Sequence, residues 1–453
     1  MTSDSLEDHY QKLQARFPLT LSGDYQQLVT PNGNAQEPIH RWFHLKEAFS
    51  HRLLMRVLKD TELESRGELS IIDPFVGSGT TAVSAGQLID EGQIGSVAFR
   101  GTESNPFLHL LSAAKLRCMQ EVVPDFLVTA GAVASAVLGN RVDPMPTPEL
   151  STFRTEYFPG AMLDDLMRIR AAIELVLPKP EHSLSWYLAQ ICLASAVEPA
   201  STLRKDGRAL RVVPDKPIRD PLGTFLNTAE KISEDMFIRP ARIEGRVDLA
   251  DVRTPAVSSI FNGDADLAIF SPPYPNNIDY TEVYKMESWM LGLTESAQGF
   301  SEQRRRTLRS HGSLRWDDDY ATPAWLGADA WDALLGPLLS AIPPGRYVRA
   351  RRQLILGYAD DMATVLCRIY QGLRPGGYFA CVVGNSVHGH PSDQLVIASD
   401  LVIARLAEAA GFEITRIEVA RVPSRKRTES QFLRESVIFG RRPVADNLCR
   451  SVT

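Results

Sequence analysis

The sequence has few cysteines and no long apolar run. Its five cysteines, Cys118, Cys192, Cys367, Cys381 and Cys449 among 453 residues, show neither a CxxC pair nor a Cys/His spacing. A zinc module and a disulfide framework are therefore excluded. No stretch approaches the roughly 20 apolar residues of a bilayer span, and the opening MTSDSLEDHY is too acidic for a secretory leader. A cytoplasmic protein with no membrane partner is expected. Internal repeats and low-complexity tracts are also missing, which excludes solenoids and disordered chains. Neither sign of charge dominates, since 49 basic and 55 acidic residues leave a net charge of −6. That sum hides basic clusters at 204–219, 304–309, 346–352 and 421–427, and partner choice follows local fields.

The composition is otherwise that of a globular protein, with 44% hydrophobic and 23% charged residues, at a length suited to two or three folding units. Apolar positions Trp42, Leu45, Phe49, Leu53, Met55 and Leu58 predict a helix over 39–58. A short buried strand at 69–73 runs into DPFVGSGTT. A helix over 81–89 and a strand from 96 to Glu103 then complete a βαβ unit. The rhythm breaks over 123–253, which reads as a mostly helical insertion with proline-rich joints. It resumes with strands at 257–261 and 267–270 and pauses again over the polar stretch 294–351. A helix over 360–372, a strand at 378–383, a helix over 393–409 and the β segments GFEITRIEVARV and ESVIFGRR close the chain.

Two motifs carry chemistry. In the first, Asp73, Pro74 and Phe75 end a strand that turns through Gly77 and Gly79 into a helix beginning at Thr80 or Thr81. Such a turn offers free backbone N–H groups and close approach to a nucleotide-like ligand. Glu103, about 20 residues past the turn at the tip of the next strand, can accept hydrogen bonds from ribose hydroxyls. With no third spaced glycine and no GK[ST] ending, the loop suits dinucleotides and nucleoside triphosphates poorly. S-adenosylmethionine fits better, because it has a ribose, an adenine and a zwitterionic tail but no phosphate. The second motif is Ser271-Pro272-Pro273-Tyr274, at the end of an apolar strand. Its rigid turn can aim the Pro272 carbonyl and the Ser271 hydroxyl at one planar NH₂ group, while Tyr274 offers a ring face to a base. The histidines His388 and His390 read as a solvated polar loop, and no metal is expected.

DPFVGSGTT together with SPPY resembles the S-adenosylmethionine-dependent DNA amino-methyltransferases, which methylate exocyclic nitrogens of cytosine (N4) or adenine (N6). The resemblance covers 38–117 and 257–442, including TESNP, NIDYTEVYKMESW, LRPGGYFACVVGN and RESVIFG. It implies an α/β fold: a doubly wound, mostly parallel sheet with an antiparallel C-terminal hairpin and a helical insertion. The cofactor-binding catalytic domain would be formed by 1–120 and 256–453, with a smaller insertion at about 294–351. Residues 121–255 would be the insertion and the expected target-recognition region. Asp73, Phe75, Gly77, Gly79, Thr80 and Thr81 would then surround the methionine moiety, with Glu103 on the ribose and Asp264 near the adenine. Trp42, Phe43 and Lys46 fall in the segment that precedes the cofactor loop in this family, and Lys46 is expected at the cofactor. Ser271, Pro272, Pro273 and Tyr274 would hold a flipped base.

Serine at the head of that tetrad accompanies cytosine N4, so an N4-specific methyltransferase acting on double-stranded DNA is the leading expectation. Adenine-N6 methylation, and guanine-N2 methylation of RNA or tRNA, remain alternatives. The cofactor loop precedes SPPY here, whereas many such enzymes have the reverse order. Arg204, Lys205, Arg208 and Arg211 in the insertion, with Arg425 and Arg427 near the C-terminus, are the expected nucleic-acid contacts. A cognate restriction or defence nuclease is a further possible partner.

Overall fold

The computed structural model describes residues 3–121, 125–148, 155–177, 183–205, 210–276, 278–316, 326–390, 392–422, 428 and 430–444. Its strands are β1 (Leu19–Thr20), β2 (Glu68–Asp73), β3 (Ser96–Glu103), β4 (Leu203–Lys205), β5 (Leu210–Val212), β6 (Glu244–Leu249), β7 (Ala265–Phe270), β8 (Leu373–Gly384), β9 (Ser386–His390), β10 (Asp393–Ile397), β11 (Glu413–Arg421) and β12 (Glu435–Arg441).

Every residue of β7 is buried, so its two faces must both be covered. Side chains alternate across a strand, and here they divide between two cores. Leu267 and Ile269 face one core, while Ala268 and Phe270 face the other. Ile71 and Ile72 of β2 divide in the same way. The resulting eight-stranded sheet has the order β1-β11-β12-β8-β7-β2-β3-β6. Its pairs are parallel except where β12 lies antiparallel between β8 and β11. Helices Thr80–Asp90 and Pro106–Gln120 cover one face, and helices Val348–Gly372 and Ser399–Ala409 cover the other. This is the expected doubly wound α/β fold, including its antiparallel C-terminal pair.

Strand order reverses at β2, which has β3 on one side and β7 on the other. In such sheets the ligand crevice lies outside the carboxyl ends of the strands at this switch point.

The span expected to be an insertion is helical over Phe126–Leu138, Met162–Val176, Leu184–Val197 and Pro221–Phe237. These helices share the first core with the sheet rather than enclosing one of their own. Residues 244–249 fall inside the span expected to be insertion, yet they form the edge strand β6, parallel to β3. As an edge strand that is mostly exposed or half-buried, EGRVDL lacks an apolar run by which to recognise it. Three further elements differ from expectation. Residues 39–58 are a single turn of 3-10 helix at His40–Trp42 followed by helix Leu53–Asp60, and Pro255–Ser259 is a 3-10 turn rather than a strand. Residues 393–397 are strand β10, which pairs with β9 before the helix Ser399–Ala409 begins. Among the described residues no helix is long and apolar enough to cross a membrane.

Candidate active site

A cavity of about 350 Å³ opens at the switch point. It is lined from four strand ends: Pro74–Ser78 after β2, Glu103–Asn105 after β3, Ala250–Val252 after β6 and Ser271–Tyr274 after β7. The two motifs, separated by nearly 200 residues in sequence, thus share one wall-to-wall space.

The glycine turn is built by Asp73. Buried beneath the loop, its carboxylate accepts from the Phe75 amide at 3.0 Å and from Thr81 Oγ1 at 2.7 Å, and burial raises its pKa to about 7. Gly79 takes φ +81°, and a Cβ there would meet Ser112 at 3.3 Å, so glycine permits both the turn and the packing of the next helix. Asp73, Gly79 and Thr81 therefore shape the loop from behind. Phe75, Gly77, Ser78 and Thr80 reach the cavity.

Four of the loop's amides are engaged inside the fold. Phe75 N donates to Asp73, Val76 N to the Thr102 carbonyl, Gly77 N to Glu103 Oε2 at 2.9 Å and Gly79 N to the Val76 carbonyl. Among the described residues the amides of Ser78, Thr80 and Thr81 have no hydrogen-bond partner, so the end of the turn that opens the helix keeps the free donors expected of it. Glu103 also accepts from Asn105 N at 2.8 Å, and burial pushes its carboxyl pKa up.

At the SPPY end, Tyr274 Oη donates to Glu435 Oε1 at 2.8 Å, while Ser271 Oγ lies 3.4 Å from the same phenol oxygen. Burial and the adjacent Glu435 carboxylate push the Tyr274 pKa well up, so it remains a phenol. The ring seats against Gly384, where a Cβ would meet ring carbons at 2.8 Å. Glu435 is itself ion-paired to Arg421, and both line the cavity. The far wall carries Tyr280 and Tyr284, the latter donating to Glu47 Oε2 at 2.6 Å. Residues 306–308, 310 and 311 complete the enclosure. They are pinned by half-buried ion pairs: Arg309 to Asp360 and Asp361, and Arg253 to both Asp361 and the cavity residue Asp251.

Asp264, expected near the adenine, lies elsewhere. Asp264 precedes β7 and pairs with Arg100 at 2.7 Å, at the amino end of a six-residue strand. Six residues at about 3.3 Å each separate it from Ser271 by roughly 20 Å. The strand end that flanks the cavity beside Glu103 supplies Asp251 instead, with Ala250 and Val252. Trp42 is a core residue whose indole donates to Asp235 at 2.9 Å. Lys46 does sit on the rim, with its Nζ donating to the Lys205 carbonyl at 2.6 Å.

The basic clusters also divide. On β4 the alternation turns Lys205 inward and Arg204 outward. Lys205 forms a buried ion pair with Glu287 and lies 4.9 and 4.8 Å from the ring centroids of Phe43 and Tyr284, so it is not a surface contact. Arg204 and Arg211 are exposed cross-strand neighbours on the hairpin. In the cluster 304–309, Arg304 is tied to Asp279 and Arg309 to its aspartates. Arg208, Arg425 and Arg427 lie outside the described residues. His388, expected in a solvated loop, is buried in β9, and burial lowers its pKa to about 4.

No protein-family model matches the chain. It is similar to the type II methyltransferase M.BsoBI of Geobacillus stearothermophilus, 23% identical over 464 residues that span 90% of this chain and 84% of that protein. It is also similar to the type II methyltransferase M.AvaI of Nostoc sp. PCC 7120, 24% identical over 441 residues, spanning 90% and 85%. Among solved structures, the rRNA methyltransferase aviRa of Streptomyces viridochromogenes covers 88% of this chain and 89% of its own. That match has 12% identity and a TM-score of 0.31, a resemblance too loose to carry an argument.

Proposed function

We propose that this chain, a homologue of type II DNA methyltransferases over nine-tenths of its length on a doubly wound methyltransferase sheet, methylates an exocyclic base amine in double-stranded DNA. Cytosine N4 is the proposed target, and S-adenosylmethionine the methyl donor. One observation carries this reading: the DPFVGSGTT loop with Glu103 and the SPPY turn line the same cavity. Its volume of about 350 Å³ falls within the roughly 300–1,000 Å³ of small-molecule sites.

The chain's residues divide the work. Glu103 holds a ribose through lone pairs not used by Gly77 and Asn105. Ala250 and Val252 flank the adenine, and Phe75 and Gly77 border the methionine portion. S-adenosylmethionine, when bound, supplies an electrophilic methyl group. An aryl amine is a weak nucleophile because its lone pair is delocalised into the ring. Acceptors at Ser271 Oγ and the Pro272 carbonyl engage its protons and draw the lone pair out of conjugation. Tyr274, fixed by Glu435 and Gly384, stacks on the base and sets its plane. Cys381 is buried, with its thiol pKa pushed up, and is not needed as a nucleophile. Arg204 and Arg211 are proposed phosphate contacts beside the rim.

The test is methyl transfer from tritiated S-adenosylmethionine to duplex DNA and, in parallel, to tRNA. Label in DNA supports this function. Label in tRNA alone would replace it with the guanine-N2 alternative.

A further inference from the structure

A second cleft, of about 740 Å³, lies beside the cavity and has no role in the chemistry above. One side is the segment that opens helix Val348–Gly372, with Arg346, Tyr347 and Arg351. The other is the β9–β10 hairpin, with His388, His390 and Asp393. The two spaces share a wall. His311 lines the cavity, and the next residues Gly312 and Ser313 line the cleft. The hairpin also grips the SPPY turn directly, since the carbonyl of Pro275, the residue after Tyr274, accepts from Ser386 Oγ at 2.7 Å and His388 Nε2 at 2.8 Å.

The chemistry of this cleft is cationic and aromatic. Tyr347 is half exposed, with the guanidinium carbons of Arg346 and Arg351 at 4.6 and 5.8 Å from its ring centroid. Arg349 and Arg352 are exposed on the same segment. Asp393 is the one carboxylate among the described residues lining the cleft. In a chain with net charge −6, this concentration of arginine around an exposed ring complements a polyanion that also presents sugar or base faces.

We infer that this cleft seats the sugar–phosphate backbone flanking the flipped nucleotide, with Arg346 and Arg351 on phosphates and Tyr347 against sugar or base. The inference rests on the proposed DNA substrate. A base entering between Ser271 and Tyr274 carries its own backbone across the wall that the hairpin and the SPPY turn share. DNA rather than another polyanion is therefore the occupant this position serves.

The experiment measures duplex binding by anisotropy across a salt series, with cofactor binding by calorimetry as control. Arg346→Gln/Arg351→Gln should weaken binding and reduce the slope of log K against log salt by about 2, at roughly 0.9 per phosphate contact. Cofactor affinity and melting temperature should be unchanged. Tyr347→Ala should weaken binding while keeping the wild-type slope, which separates stacking from charge. Wild-type affinity and slope in the double glutamine variant would overturn the cleft while leaving the DNA function intact. A wild-type protein that binds no duplex would overturn both.

Discussion

Removing Glu435 isolates the device that holds the base-stacking ring. In wild type the Tyr274 phenol donates to a carboxylate at 2.8 Å, and its other neighbour, Ser271 Oγ, is 3.4 Å away. A hydrogen bond to a charged acceptor contributes about 1.5–3 kcal/mol. Arg421 is 43% exposed on its side chain, so water replaces its lost partner and adds little to the effect. If the full amount is expressed in the transition state, Glu435→Ala lowers kcat by about 10- to 150-fold. Cofactor affinity should stay within about twofold, because Glu435 contacts the base side of the cavity. Glu435→Gln keeps an acceptor oxygen and should recover part of the loss. The decisive assay is a double-mutant cycle with Tyr274→Phe, which deletes the donor. The two losses should be strongly non-additive. A coupling below about 0.5 kcal/mol, the scatter expected of independent sites, would show that Glu435 does not act through the tyrosine.

Three other outcomes follow from the same geometry. Glu103→Ala should weaken S-adenosylmethionine binding by about 1.5–3 kcal/mol in calorimetry, and wild-type affinity would remove Glu103 from the ribose. Lys205→Met breaks a buried ion pair with Glu287 and should destabilise the fold by about 3–5 kcal/mol in urea. It should leave the DNA salt slope unchanged, and a flattened slope would return Lys205 to the DNA surface. His388 has its folded-state pKa lowered by burial to about 4 from 6.5, so below 6.5 the unfolded chain takes a proton that the fold refuses. Its stabilising contribution is complete above that pH and is lost as pH falls toward 4. Wild type should lose up to about 2 kcal/mol more than His388→Gln between neutral pH and about pH 5, at about 1.36 kcal/mol per pH unit. Parallel urea midpoints for the two proteins would contradict the burial of a neutral imidazole.

Local signals were legible in the sequence, while signals that depend on folding distance were not. The strand ending at Asp73, the glycine turn and the helix after it could be read because apolar period and left-handed glycines act over a few residues. The SPPY turn was legible for the same reason. Glu435 was not, since 161 positions separate it from Tyr274, and only the pairing of β12 with β8 brings Glu435 opposite Gly384. Asp264 is expected at the adenine only through the family resemblance. In a parallel sheet, however, only carboxyl ends open on the crevice, and Asp264 lies at the amino end. Asp251 escaped notice because its strand is an exposed edge with no apolar alternation. Lys205 shows the limit of counting charge, for composition records a cation and only the alternation of β4 reveals that it points inward.

The identity of the methylated nucleoside tests the central claim most directly. Duplex DNA of mixed sequence would be incubated with the purified chain and S-adenosylmethionine, digested to nucleosides and resolved by mass spectrometry. We expect N4-methyldeoxycytidine, lost on Tyr274→Ala while cofactor binding persists. A carbon-5 methyl product, or no methylated nucleoside from DNA under conditions in which the cofactor binds, would contradict amine transfer at this cavity.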